Sequence, residues 1–417
     1  MHLAALLATG PGPLDVRIEG AEGRAQLMVN GRPFVVKGAG ASLEMLDELA
    51  AAGANTVRTW GVGEDTAAYL DRAHELGLKV VLGIWLRKEE DGFRYDKPAD
   101  RVSQYLHALD AVQRFRHHPA LLMWAVGNEM ELGAPDERVW VDVENITRIF
   151  KRWDPGRPVM TVVADMWPEK MDAILRRSPS LDLLGINSYD GLPSLHQRMT
   201  RWTKPYLVTE YHFSNPAPIE TGFSARLEPD STTKARSLER NHLRDVMGRP
   251  GRSLGGFFFH WSPSTTQTAS VHSPFLRTGE KLEAVDVLTR LWGGSKPDNA
   301  APTLASATTQ DSGRTWKVAM TDPDRDPVVM NWEVISEEHS RRFVGDFEQK
   351  MPIVRTGTTS GEVKLPADLA DGSHRIFVIG RDGRGGAAVW NAPYLVRSGR
   401  IIRVGMWPQS PMPVEQS

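Results

Sequence analysis

The chain has 417 residues, too many for one ordinary domain and few for three, so two domains are expected. Its 50 basic and 52 acidic residues leave a formal net charge of −2 with no basic run, which argues against nucleic acid or an anionic membrane as partner. It contains no cysteine, which excludes disulfides, thiolate metal sites and cysteine nucleophiles, and favours a periplasmic or secreted location over a cytoplasmic one.

The opening MHLAALLATGPGP carries a short apolar run, Leu3–Ala8, with no Lys or Arg before it. It reads as a trimmed leader remnant or a plain N-terminal arm covering residues 1–29. No stretch reaches the roughly 18 consecutive apolar residues of a membrane helix, so no membrane insertion is expected. From Pro33 to about Gly294, short apolar runs alternate with amphipathic segments, as repeated βα units do. The strand candidates are Phe34–Gly38, Thr56–Trp60, Lys79–Trp85, Leu121–Gly127, Val159–Ala164, Leu183–Asn187, Tyr206–Thr209 and Gly256–His260. They are rich in Val, Ile, Leu and Phe without alternation, as in strands covered on both faces. Helical patterns fall at Ser42–Ala52, Glu64–Leu76, Asp100–Phe115, Glu137–Trp153, Glu169–Arg177 and Thr233–Met247. The spacing predicts a (β/α)₈ TIM barrel over residues 30–294, within the usual size of roughly 250 residues. An open doubly wound sheet is the rival, but GAGAS after Lys37 supplies no dinucleotide fingerprint with an acidic ribose partner.

Residues 295–303 lie in a Gly/Pro/Asn/Ser-rich linker. Beyond it, short alternating segments such as Thr315–Met320, Val328–Val334, Glu362–Leu365 and Arg375–Ile379 predict a small immunoglobulin-like β-sandwich over 304–417. Asp322, Asp324 and Asp326 suit a turn better than a calcium loop, since no bidentate Glu follows.

In a barrel of this kind the active site lies at the C-terminal strand ends. The residues there are Arg58 and Trp60, Trp85, Asn128 and Glu129, Asn187 and Tyr189, Glu210 and His212, and His260 and Trp261. Two glutamates directly follow apolar strands, in WAVGNE and YLVTE. A carboxylate there is costly unless it is used or paired, and two facing one cleft are what acetal hydrolysis requires.

These motifs resemble glycoside hydrolase clan A, and most of all the catalytic barrel of family two. Members carry an Asn-Glu pair ending the fourth strand and a second Glu ending the seventh; here these are WAVGNEM (Trp124–Met130) and LVTEYHF (Leu207–Phe213). The resemblance spans about residues 30–294 and includes GRPFVVKGAG and NTVRTWG. It implies Glu129 as acid/base, Glu210 as nucleophile and Asn128 on the substrate 2-hydroxyl. It further implies Arg58 and Tyr189 beside the nucleophile and Trp261 as the aromatic floor of the subsite for the attacked sugar. The clan is retaining, so a glycosyl-enzyme intermediate is implied, with carboxylates about 5–5.5 Å apart.

The chain departs from family two in having only about thirty residues before the barrel, a sandwich after it, and TEYHF where the family has TEFG or TEYG. Trp60, Trp85 and Trp167 suit sugar stacking or core packing equally. Asn187, His212 and His260 are further substrate-binding candidates. No HxH or HExxH spacing suggests a metal, and no cofactor is indicated. The expected activity is retaining hydrolysis of β-linked, β-glucan-type glycans, so the expected partner is an oligosaccharide or polysaccharide. A β-glucan transglycosylase with the same residues and a catalytically silent glycan-binding protein are the alternatives.

Overall fold

The computed structural model describes residues 12–132, 137–213, 221–263, 268, 270–337 and 352–407. The run Leu3–Ala8, and residues 133–136, 214–220 and 264–267 of the long loops after strands, lie outside the described residues. The chain divides into two compact units. One gathers the described residues up to His212 with Arg240–Trp261 and Trp292–Gly294. The other gathers Phe213–Glu239, Ser262–Leu291 and the described residues from Ser295 onward.

The first unit is a closed parallel barrel of eight strands. They are β1 (Val36–Ala41), β2 (Thr56–Arg58), β3 (Lys79–Ile84), β4 (Leu121–Asn128), β5 (Val159–Ala164), β6 (Leu183–Asn187), β7 (Tyr206–Tyr211) and β8 (Ser253–Trp261). Every residue of β4, β6 and β7 is buried, which is why these strands read as continuous apolar runs. The helices α1 (Leu46–Ala51), α2 (Thr66–Glu75), α3 (Pro98–Phe115), α4 (Arg138–Trp153) and α5 (Pro168–Arg177) follow the first five strands. Only two short turns, Leu192–Ser194 and Leu195–Arg198, follow β6.

The start of the chain differs from the expected arm. Val16–Glu19, Gln26–Val29 and Arg32–Phe34 form a three-stranded antiparallel sheet. Its hairpin turns at Asn30–Gly31, both with positive φ (49° and 73°), the conformation that an Asn-Gly pair adopts in a two-residue hairpin. Val16, Leu27 and Val29 share one core cluster with Val36, Leu122, Leu183 and Leu254 near the strand starts, so this sheet closes the barrel end opposite the site. Phe34 belongs to that sheet, and the first barrel strand begins two residues later than expected. Asn55 holds this junction, accepting from Lys37 N (3.0 Å) and donating to Val35 O (2.9 Å).

The second unit carries two antiparallel sheets, one of three strands and one of five. Trp316, Val318 and Val363 of the first face Val334, Ile376, Val378 and Trp390 of the second across one apolar core. The helices α6 (Ser231–Asn241) and α7 (Glu283–Trp292) lie mostly in this unit, and the second was not expected from the sequence. Ser231 Oγ accepts from Val389 N (2.9 Å) and Thr232 Oγ1 from Leu304 N (2.9 Å), which ties this stretch to the sheets. The unit therefore begins well before the expected linker at 295–303. Asp322 Oδ1 accepts from the amides of Asp324 and Asp326 (2.8 and 3.1 Å), an Asx-type turn. Among the described residues no helix is long and apolar enough to cross a membrane.

Candidate active site

Both glutamates sit just past an irregular strand end. On β4 the register against β5 shifts between Val126 and Asn128, and on β7 the register against β6 shifts between Val208 and Glu210. An extra residue of this kind bends the strand and re-aims the side chain that follows. On β4 the bend uses Gly127 (φ 74°), where a Cβ would come within 2.8 Å of the Met130 side chain. Glu129 itself lies in the left-handed region (φ 51°), a strained placement for a non-glycine residue, held by its N–H on Val162 O (2.9 Å).

Glu210 is buried and takes three donors. Arg58 Nη1 (2.8 Å) and Trp60 Nε1 (3.0 Å) reach its Oε1, and the Tyr189 hydroxyl reaches its Oε2 (2.6 Å). Burial, reinforced by the neighbouring Glu210 carboxylate, pushes the Tyr189 hydroxyl far above the ordinary phenol range, so it stays protonated and donates. Arg58 is itself buried and continues the network through Nη2 to Asn128 Oδ1 (2.7 Å). Asn187 Nδ2 then donates to Asn128 Oδ1 (3.2 Å) and to Glu129 Oε1 (2.8 Å). One hydrogen-bonded chain thus joins the two carboxylates through Arg58, Asn128 and Asn187. Trp60 can lie against β1 because residue 40 is glycine; a Cβ there would come within 2.2 Å of its ring.

His212 is buried and packs against the Tyr189 ring with the two planes tilted by 40° (centroids 4.5 Å apart), so it backs a site residue. His260 is half-buried, and burial lowers its pKa against the upward pull of Glu210, which favours the neutral imidazole. Trp261 does not line the site. It is 0% exposed and packs its ring on Trp292 (5.5 Å), so no face is open to a sugar. The register of β8 against β1 shifts between Phe258 and Trp261, which breaks the alternation that would have turned Trp261 inward. Phe259 takes the place expected of it: partly exposed, edge-on to Trp60 (6.0 Å) and to Tyr189 (6.2 Å). Trp85 and Trp167, past the ends of β3 and β5 on either side of β4, are 40% and 55% exposed, and the Arg198 guanidinium lies 5.0 Å from the Trp167 ring.

Two residues were not singled out in the sequence. Phe259 was hidden within an FFF run whose parity could not be read, and Thr209 showed only as the residue before Glu210. Among the described residues no group of three or more His, Asp or Glu side chains is placed to hold a metal ion. A buried carboxylate held by three donors, beside a second and more open carboxylate, suits attack by one and proton transfer by the other.

Residues 49–220 match the family model described as "Glycosyl hydrolases family 2, TIM barrel domain". Over these residues the barrel resembles that of family-two glycosyl hydrolases. No curated protein matches the sequence. Among solved structures, this chain is similar to a Bacteroides uniformis β-glucuronidase (14% identity, TM-score 0.53, covering 92% of this chain and 48% of that one). It is also similar to a family-two β-galacturonidase from Eisenbergiella tayi (17%, 0.51, 67% and 54%) and to a Faecalibacterium prausnitzii β-glucuronidase (18%, 0.51, 67% and 51%). The chain spans about half the length of these structures.

Proposed function

We propose that this protein is a retaining β-glycoside hydrolase in which Glu210 is the nucleophile and Glu129 the acid/base. The observation that carries the reading is the convergence of Arg58, Trp60 and Tyr189 on Glu210, within one network that also holds Glu129. Donors on both oxygens hold the carboxylate in one orientation and fix its direction of attack. In the first step a Glu210 oxygen bonds to the anomeric carbon, the glycosidic C–O bond breaks, and Glu129 gives its proton to the departing oxygen. In the second step Glu129 takes a proton from water, whose oxygen displaces Glu210 from the anomeric carbon. Asn128 has its Oδ1 occupied by Arg58 and Asn187, which leaves its Nδ2 as the group for the sugar 2-hydroxyl. Phe259, rather than Trp261, forms the apolar floor beneath the attacked sugar.

The substrate class in this reading is a β-linked glycan. Trp85 and Trp167 flank the strand of the acid/base, where the leaving group must lie, and their exposed faces suit a further sugar ring. This favours oligosaccharide substrates of β-glucan type. It also supports a second reading, transfer to a sugar acceptor held there in place of water. The absence of cysteine supports export to the periplasm or beyond.

The test incubates wild type and Glu210→Gln with β-glucans, β-glucosides, β-glucuronides, β-galactosides and β-galacturonides, and reads products by mass spectrometry. Cleavage by wild type alone supports the reading, and products longer than the substrate support transfer. Retention of a glycan on the protein without any cleavage overturns it in favour of a binding protein.

A further inference from the structure

We propose that Thr209 is a positioning residue that orients Asn187, and through Asn187 the carboxylate of Glu129. The inference rests on the reading of Glu129 as acid/base. The orientation of the relay follows from its donors and acceptors. Arg58 can only donate, so Asn128 must turn its Oδ1 toward Arg58 Nη2. Asn187, which approaches the same Oδ1, must then present Nδ2 there, and the same amide group reaches Glu129 Oε1. The Oδ1 of Asn187 is thereby turned away from both and needs a donor of its own. Thr209 supplies it: the buried hydroxyl donates to Asn187 Oδ1 over 2.8 Å.

Three further features fix that hydroxyl. Thr209 is the extra residue at the register shift between Val208 and Glu210, so its side chain is not tied to the regular alternation of β7. Its branched side chain lies over Gly185 of β6, where a Cβ would come within 2.7 Å of Thr209 Cγ2 and 2.8 Å of Val162 Cγ2. Branching at Cβ leaves few rotamers, so this space holds the hydroxyl in one direction. Finally, the Thr209 carbonyl accepts from Arg58 Nη1 (3.0 Å), the same nitrogen that holds Glu210. Thr209 therefore touches the supports of both carboxylates, with its backbone on one side and its side chain on the other.

A packing role and a donor role make opposite predictions for two variants. Thr209→Val keeps the shape and loses the donor, whereas Thr209→Ser keeps the donor and loses a methyl group. The full chain and both variants are assayed on phenyl and 2,4-dinitrophenyl β-glycosides of glucose, glucuronic acid, galactose and galacturonic acid. The reading is kcat/KM, which reports formation of the glycosyl-enzyme. The dinitrophenolate leaves without a proton, so only the phenyl glycosides need Glu129 as acid. Thr209→Val should lose about tenfold on the phenyl glycosides and less than twofold on the dinitrophenyl ones, as expected when part of an acid's contribution is forfeited. Thr209→Ser should stay near wild type on both. In a crystal structure of Thr209→Val, Asn187 Nδ2 should have left Glu129. Equal rates for wild type and Thr209→Val, an equal loss in Thr209→Ser, or an Asn187 that does not move overturns the proposal. If wild type turns over none of these glycosides the hydrolase reading fails instead, and the Asn187 position in the crystal still decides the role of Thr209.

Discussion

Two buried charge networks in this chain use the same ingredients and end differently. In the barrel, Glu210 is held by Arg58, Trp60 and Tyr189, while Glu129 at the other end of the chain of bonds keeps a partly exposed side chain. In the second unit, Lys234 and Glu228 are paired and both are buried. Lys234 also donates to Ser270 O (2.7 Å), and Ser270 and Thr268 hydroxyls close on Glu228. Arg375 extends this network to Glu337, to Asn391 Oδ1 (2.6 Å) and to Arg226 O. Burial raises the Glu228 carboxyl, but Lys234 and Arg375 outweigh it and hold it below the usual carboxylate range. One network thus surrounds its charges from all sides and fastens loops to the sheets. The other leaves a side open toward which a substrate can come. Under the proposed function, the same pairing that serves structure in one unit holds reactive groups ready in the other.

The largest expected effect breaks the open network at its centre. Glu210→Gln should lower turnover on the order of 10⁵-fold, as removal of a nucleophile does in other double-displacement enzymes, with the circular dichroism spectrum unchanged. Turnover within tenfold of wild type would remove Glu210 from the mechanism. Next comes the sealed network. Lys234→Met leaves Glu228 buried beside an apolar side chain and should destabilise the chain by about 3–5 kcal/mol in chemical denaturation. Lys234→Met combined with Glu228→Gln should recover part of that loss. No recovery would mean that packing, rather than the unpaired charge, dominates at this position.

A smaller effect tests whether the donors on Glu210 act in catalysis more than in stability. Tyr189→Phe removes one of three and should cost about tenfold in kcat/KM, with less than about 1 kcal/mol in stability. The reverse pattern would make Tyr189 a structural residue like those around Lys234.

The smallest effect concerns a carboxylate that neither network serves. Glu283 has an Oε2 with no hydrogen-bond partner among the described residues, and burial, against Thr232 and Arg236, raises its pKa to about 7. An unfolded glutamate titrates near 4.3, so the folded chain binds the extra proton between these values. Its contribution is present below about pH 4.3 and is lost as pH rises through about 7. Glu283→Gln should therefore stabilise by roughly 1–2 kcal/mol at pH 8, discounted for partial exposure, and by nothing near pH 4. Thermal melts at the two pH values read the difference, and an equal shift at both would point to packing.

Much of the barrel was legible because its strands are buried on both faces and so spell continuous apolar runs, each ended by a polar residue. Thr56, Lys79, Leu121, Val159, Leu183 and Tyr206 all begin strands where the apolar runs begin. The N-terminal hairpin carried its own signal in Asn30–Gly31, but Phe34 merged with the apolar run of β1 because nothing local separates adjacent strands of different sheets. The helix Glu283–Trp292 was obscured because it follows a long Pro- and Ser-rich loop.

By itself the sequence determined the eight-strand repeat, the position of Glu129 and Glu210 at two strand ends, and the change to short alternating strands after the linker. These depend on local hydrophobic pattern and on which residue follows each run. Only the tertiary structure decided that Trp60 turns its indole N–H to Glu210, that Phe259 rather than Trp261 lies beside Trp60 and Tyr189, and that Asn187, accepting from Thr209, bridges Asn128 and Glu129. Each of these depends on a register shift or on a contact between strands far apart in sequence, and a one-residue shift inverts which face a side chain occupies. Pattern along the chain cannot record such a shift, because it arises where two strands meet.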